Sequence, residues 1–291
     1  MAQRLRFTTH WVTGVLFAWL ALVIVPAAGP PILDLYVAVA DSNDRPLAGL
    51  TAADFVVRVG DAEQPVTSVK LATAPISLLF VNDTPIEDSQ AVRRAFQSGI
   101  GSLATRNPGA QVGVLNWQRP TILADAGAQA AKPDPFDGAL SSGYGLGIAS
   151  LRAVEVLKTA PGRHVVLGLT GRRAFPIDPT EVPPSAIPNT DLIATLRASK
   201  SSFWVVEIAP ILSADPNEPY FERAAWSSGG WILRITDDAS ALESAVDRLV
   251  DILLSQYVVS VQASSGQAAG TIRVGVTRAG AKVSTAEYPQ G

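Results

Sequence analysis

Residues 76–81, Ile-Ser-Leu-Leu-Phe-Val, form a short apolar run that stops abruptly at Asn82-Asp83-Thr84-Pro85. A strand with one face in water would alternate apolar and polar side chains. A run apolar on both faces and of this length predicts a strand buried in the middle of a parallel sheet. Residues 165–170 are another fully apolar run, and 203–208 and 231–235 read as further strands. Between them lie stretches with apolar residues every three or four positions: Val92, Phe96, Ile100 and Leu103 in 88–103; Leu146, Ala149, Ala153, Val156 and Leu157 in 143–157; Leu192, Ile193 and Leu196 in 191–199; and Leu242, Ala245, Val246, Leu249 and Ile252 in 240–254. That spacing predicts helices with one buried stripe. Strands alternating with such helices imply an α/β fold, doubly wound, with a mostly parallel sheet covered on both faces.

The remaining signals fill in this frame. Residues 112–117 read as a strand, with 120–123 as its hairpin partner, and 124–137 as a loop of small residues. Residues 219–226 read as a short helix ended by Gly229-Gly230. Residues 175–188 hold five prolines and read as an irregular surface loop. In open α/β sheets, ligands bind beyond the carboxyl ends of the strands. Asn82, Asp83 and Thr84, past the first strand, and Gly171, Arg172 and Arg173, past the 165–170 strand, are therefore the expected binding loops, with Tyr144 at the entry to the 143–157 helix.

Both flanks change period. Leu33, Leu35, Val37 and Val39 alternate with other residues, residues 55–59 and 66–71 read as further strands, and Asp41 to Pro46 is a turn cluster. The tail returns to alternation at 256–261 and 271–277. The expected organisation is an N-terminal β unit over 32–74, the α/β domain over 75–255, and strands in 256–291 that join the N-terminal unit. Adjacent ends of an inserted domain make this closure geometrically simple. Residues 1–29 read as an export signal: Arg4 and Arg6 precede an apolar stretch from Trp11 to Val25, and Pro26-Ala27-Ala28 supplies small residues for cleavage. About 15 apolar residues are short for a membrane span. An uncleaved N-terminal anchor is the alternative, and the one route by which a membrane enters.

Composition removes several function classes. The net charge of −3 gives no reason to expect nucleic acid. The chain has no cysteine, which excludes disulfides, thiolate metal sites and cysteine nucleophiles. Its two histidines, His10 and His164, are far apart, and His164 at a strand start reads as a surface or internally satisfied residue. No G-x-S-x-G elbow occurs, and Gly143-Tyr-Gly-Leu-Gly147 departs from a phosphate-binding glycine loop at Ile148.

The segment Asp41-Ser-Asn-Asp-Arg-Pro-Leu-Ala-Gly-Leu-Thr-Ala-Ala-Asp-Phe-Val-Val-Arg-Val-Gly-Asp-Ala-Glu-Gln64 resembles the opening module of exported bacterial proteins related to the von Willebrand factor type A domain. Pro46, Gly49-Leu50, Asp54-Phe55, Val57, Asp61 and Gln64 fall in that family's order. The closing segment is similar too, with Tyr257 in a strand, Gly270-Thr-Ile-Arg-Val-Gly-Val, Gly280-Ala-Lys-Val and Tyr288. The resemblance covers roughly residues 32–288. It implies a type A fold and, in its usual form, a Mg²⁺ site whose first loop reads D-x-S-x-S, with a threonine from a second loop and an aspartate from a third.

Position by position, the first aspartate falls on Asn82, the first serine on Thr84 and the second serine on Ile86. The second-loop threonine falls near Gly143-Tyr144, where there is none, and the third-loop aspartate falls on Gly171, with Arg172 and Arg173 beyond it. A hard dication wants carboxylate oxygens in near-octahedral geometry, so the resemblance implies a degenerate site. The expectation is a non-catalytic protein-binding or scaffolding module of the exported or envelope fraction, with no metal and no cofactor. Rival readings are a hydrolase using Asp83, Glu87 and Asp88, metal-dependent adhesion through an altered ligand set, and a purely structural envelope component.

Overall fold

The computed structural model describes residues 32–84, 89–115, 120–132, 145–171, 190–209, 218–236, 239–262 and 271–286. The expected export signal, the proline-rich loop and Glu87 and Asp88 lie outside them. Among the described residues no helix is long and apolar enough to cross a membrane.

The strands are β1 (Ile32–Ala40), β2 (Phe55–Val59), β3 (Ala62–Gln64), β4 (Val66–Leu71), β5 (Ile76–Asp83), β6 (Gln111–Val114), β7 (Ala124–Asp125), β8 (Arg163–Gly171), β9 (Ser201–Ala209), β10 (Ile232–Thr236), β11 (Tyr257–Gln262), β12 (Ile272–Val276) and β13 (Lys282–Thr285). The helices are α1 (Ser89–Arg106), α2 (Ala126–Ala130), α3 (Leu146–Leu157), α4 (Thr190–Ser199), α5 (Glu218–Ser227) and α6 (Ala239–Leu254).

The central sheet runs β10-β9-β8-β5-β6-β7. All neighbours are parallel except β6 and β7. Numbered by appearance within the sheet, the order is 3-2-1-4-5-6, the doubly wound order in which the winding reverses between the first and fourth strands, here β5 and β8. All eight residues of β5 are buried, as a central strand requires. Its side chains alternate between two cores. Ile76, Leu78 and Phe80 face α1 and α6, with Phe96, Ile100, Val246 and Leu249. Leu79 and Val81 face α3, α4 and α5, with Leu146, Val154, Leu196 and Ala224. Gly168 in β8 lets α3 lie close, since a Cβ there would sit 2.5 Å from Leu146 Cδ1.

The flanks form two antiparallel sheets, ordered β13-β1-β11-β4 and β12-β2-β3. The expected joining of N- and C-terminal strands is therefore what the fold shows, in two sheets that share one apolar cluster of Leu35, Val37, Phe55, Val57, Tyr257, Val259 and Ile272. Tyr257 anchors it: its hydroxyl donates to the Leu47 carbonyl at 2.8 Å and accepts from the Leu50 N–H at 3.3 Å. The Asp41 to Pro46 turn reaches the α/β layer. Asp44 Oδ1 accepts from Trp231 Nε1 at 3.1 Å and from Lys282 Nζ at 2.8 Å.

Two local elements differ from those expected. The antiparallel partner of β6 is Ala124–Asp125, not residues 120–123. The expected loop over 124–137 contains α2, which starts where the Asp125 carboxylate accepts from Ala128 N at 3.0 Å. Its register is held from outside, by Ala126 N donating to the Ala110 carbonyl at 2.9 Å.

Candidate functional site

In doubly wound sheets the reversal of winding, here between β5 and β8, marks the place beyond the carboxyl ends of the strands where ligands bind. Four of the seven residues expected at the site come together there. Asn82 and Asp83 end β5, Thr84 follows, and Gly171 ends β8. The register pairs Asn82 with Leu169 and Asp83 with Thr170. Tyr144, Arg172 and Arg173 lie outside the described residues, as does Ile86.

Asn82 and Asp83 are both buried. The Thr84 N–H donates to Asn82 Oδ1 at 3.3 Å, so the asparagine closes a local turn at the strand end. Thr84 Oγ1 is sealed from solvent with no hydrogen-bond partner among the described residues.

The register also reveals residues that motif reasoning missed. Asp83 pairs with Thr170, Thr170 with Glu207 in β9, and Glu207 with Arg234 in β10. Register partners in a parallel sheet point to the same face. Phe203, Val205 and Ile232, which share the face of Glu207 and Arg234, pack with α3, α4 and α5. Asp83, Thr170, Glu207 and Arg234 thus form one polar row across four strands at the top of that core.

Glu207 is buried, and its Oε2 accepts from Arg234 Nε at 2.8 Å. Arg234 Nη2 donates to Glu222 Oε2 of α5 at 2.8 Å. The hydrogen bond to Glu222, with that to Glu207, raises the Arg234 guanidinium above its ordinary value against the opposing effect of burial. The sequence signal was present: Glu207 is the single charge in Phe-Trp-Val-Val-Glu-Ile, and Arg234 the single charge in Trp-Ile-Leu-Arg-Ile.

These donors do not fit a hard dication. The two buried carboxylates of the row, Asp83 and Glu207, stand two strands apart, about 10 Å between backbones, whereas ligands of one Mg²⁺ lie within about 2.1 Å of it. Glu207 is already neutralised by Arg234. The positions that the resemblance gives to metal-binding carboxylates hold the Asn82 amide and Gly171, which has no side chain. Among the described residues no group of three His, Asp or Glu side chains is placed to hold a metal.

His164 lies near the amino end of β8. Six residues separate it from Thr170 along β8, roughly 20 Å at strand rise. Its Nε2 lies 2.9 Å from the Ala160 carbonyl, which accepts from it. It is the satisfied histidine that the sequence suggested, and it is at the opposite end of the sheet from Asp83.

No family model matches the chain, and no curated protein matches it. Solved structures share its general arrangement. The pilus adhesin SpaC of Lactobacillus rhamnosus GG, in its open conformation, matches 76% of this chain and 36% of its own at 13% identity and a TM-score of 0.42. The ArnB paralog VWA2 of Sulfolobus acidocaldarius matches 74% of this chain and 54% of its own at 16% identity and a TM-score of 0.38. The human COPII-coat protein Sec24c matches 61% of this chain and 32% of its own at 11% identity and a TM-score of 0.37. This chain therefore spans about a third to about half of the length of these neighbours. Likenesses this distant concern the arrangement of helices and strands and say nothing of what the chain binds.

Proposed function

We propose that the chain is a non-catalytic protein-binding module of type A-like architecture, exported or held in the cell envelope, whose sheet top engages its partner without a bridging divalent cation. The observation that carries this reading is the charge balance at the crevice. Asn82 and Gly171 stand where a cation would need carboxylates, and the buried Glu207 is already paired with Arg234. The sequence places Arg172 and Arg173 directly after Gly171. Like charges at 4 Å repel by about 4 kcal/mol at an effective dielectric near 20, so arginines close to the crevice oppose a dication. They favour a partner carboxylate held directly in a bidentate fork. Export rests on the Arg4/Arg6 and 11–25 pattern. Against an enzyme of the Ser-His-Asp kind stands the separation of His164 from the sheet top.

One observation favours a second reading. The orphaned Thr84 Oγ1, beside Asp83, is the kind of oxygen an altered metal site would use. Calorimetric titration of the full chain with Mg²⁺, Mn²⁺ and Ca²⁺ separates the two. The expected result is no saturable heat at micromolar to low millimolar metal. In parallel, envelope proteins are captured on the immobilised chain in Mg²⁺ and in EDTA. Partner retention in EDTA, with loss on Arg172→Glu/Arg173→Glu, supports the direct carboxylate reading. Metal binding at one site that disappears in Asp83→Ala, or capture abolished by EDTA, establishes the altered metal site instead.

A further inference from the structure

The amino ends of the strands hold a second polar site, at the opposite end of the sheet. A cavity of 320 Å³ lies there, lined by Tyr36 of β1, Ala74, Gly162 to Val165 at the start of β8, Ser199 and Lys200 after α4, Ser202 of β9 and Gln256 before β11. Its walls come from the parallel sheet and the flanking β unit together. Among the described residues no aspartate or glutamate lines it, whereas Arg163 and Lys200 both do.

Arg163 is the unusual group. Its guanidinium carbon stands 5.1 Å from the centre of the Tyr36 ring. Nη1 donates to Gln256 Oε1 at 2.6 Å, a neutral acceptor. Nε and Nη2 are sealed from solvent and have no hydrogen-bond partner among the described residues. Burial pushes this guanidinium down to about 10, which leaves it charged at neutral pH. A buried cation is ordinarily paired with a carboxylate, because desolvating it alone is costly. This one is stacked on a ring and bonded to an amide.

The two vacant donors are not an arbitrary pair. Nε–H and Nη2–H lie side by side along one edge of the planar guanidinium, and this edge matches the two oxygens of a carboxylate in a parallel, bidentate pair. The backbone beneath is rigid: Arg163 N donates to the Pro75 carbonyl at 2.9 Å, and Gly162 (φ +74) packs so tightly on that carbonyl that a Cβ would overlap it. Lys200 adds a second sign. It holds φ +53, a left-handed conformation that a residue with a Cβ seldom adopts, at the α4 exit where glycine is the common choice. Such outliers cluster at ligand sites. The carbonyl end of α4 offsets part of the Lys200 charge, but no carbonyl bonds the open edge of Arg163.

We infer that this cavity binds a small carboxylate-bearing molecule, held bidentately by Nε and Nη2 of Arg163 and drawn in by the charge of Lys200. The guanidinium reaches it by turning from the Tyr36 ring into the space that Arg163 already lines. The site is distinct from the sheet top and does not depend on the reading proposed for that end.

The test uses thermal unfolding of the full chain in sodium succinate against sodium chloride and sodium phosphate at matched ionic strength. The expected result is a saturable rise in Tm with succinate. The apparent affinity falls at least tenfold in Arg163→Gln and at least threefold in Lys200→Gly. The glycine variant keeps the left-handed turn at lower strain, so its Tm without ligand is equal to or above that of the wild type. This safeguards the test should Arg163→Gln fold poorly. A succinate effect that fails to saturate, or that is unchanged in Lys200→Gly and Arg163→Gln, overturns the site. An equal response to phosphate overturns the assignment to carboxylates.

Discussion

The Glu207–Arg234 pair predicts an asymmetry that a simple count of salt bridges misses. The Glu207 side chain is 7% exposed and that of Arg234 40% exposed. Arg234→Met leaves a buried carboxylate at the end of an apolar strand face without its cation. Coulomb's law gives about 4 kcal/mol for unit charges 4 Å apart at a dielectric near 20. Solvent screening at the exposed arginine reduces this to about 2 kcal/mol, near the low end of what breaking a buried pair costs. Glu207→Gln behaves differently. It keeps a carbonyl acceptor of the same shape, and Arg234 retains Glu222, so the loss is about 0.5–1 kcal/mol. The double variant removes the uncompensated charge and is expected to cost about 1 kcal/mol less than the sum of the two singles. Urea unfolding followed by tryptophan fluorescence and far-ultraviolet circular dichroism measures all four proteins, with coincident transitions and equal slopes as the condition for comparison. Equal losses in the two single variants, or a larger loss in Glu207→Gln, would refute the claim that burial of the carboxylate sets the energetics of the row.

Three further outcomes follow from named contacts. Gly230→Ala places a Cβ against the backbone carbonyl of Phe203, which cannot rotate away; a loss of about 3 kcal/mol is expected in the urea midpoint, at the upper end for overpacking. Tyr257→Phe removes the hydroxyl that bonds Leu47 and Leu50; the expected cost is about 1–2 kcal/mol, with the β unit losing hydrogen-exchange protection before the parallel sheet does. Asp54 is held below the ordinary value of 3.8, first by the Thr51 N–H and then by the Thr51 hydroxyl and Arg278. Its folded value is depressed, so its contribution is present above 3.8 and lost as pH falls below it. The stability gap between wild type and Asp54→Asn should therefore shrink between pH 6 and pH 3.

Most of the α/β layer could be read from the chain because burial on both faces leaves no freedom in residue type. Residues 76–81 had to be apolar once β5 took the centre of the sheet, save Ser77, whose hydroxyl donates to the Pro161 carbonyl at 2.7 Å, and the structure buries all of them. Helix α6 was equally plain, with Leu242, Ala245, Val246, Leu249 and Ile252 on one face. The short elements were not. Two-residue β7 and five-residue α2 are too small to stand on local propensity. They exist because β6 offers an edge and Ala110 a carbonyl, both supplied by residues distant enough to escape a local pattern. Asp125 did carry a signal for α2, a cap before Ala-Gly-Ala-Gln-Ala, but the small residues around it read as loop.

The site divides along the same line. Asn82, Asp83, Thr84 and Gly171 could be named because a rule ties ligand positions to strand ends, and the structure puts all four at the ends of β5 and β8. Glu207, Arg234 and Arg163 are single charges in apolar runs, and only the register says which of them meet. Once the register is known, their placement has one physical account. In a doubly wound sheet the helices enter beyond the carboxyl ends of the strands, so their positive N-terminal ends gather at the sheet top and their negative C-terminal ends at the base. Among the described residues the buried acids, Asp83 and Glu207, lie at the top; Arg163 and Lys200, which line the second cavity, lie at the base, next to the ends of α3 and α4. The helix field lowers the cost of burying each charge where it is found. For Lys200 the α4 exit supplies that field. For Arg163 the field is not sufficient, since two donors on one edge of its guanidinium stay unbonded. A charge that the fold's own field leaves half-satisfied is the place where a ligand gains most by binding, which is the physical ground for testing the base of the sheet as well as the motif-bearing top.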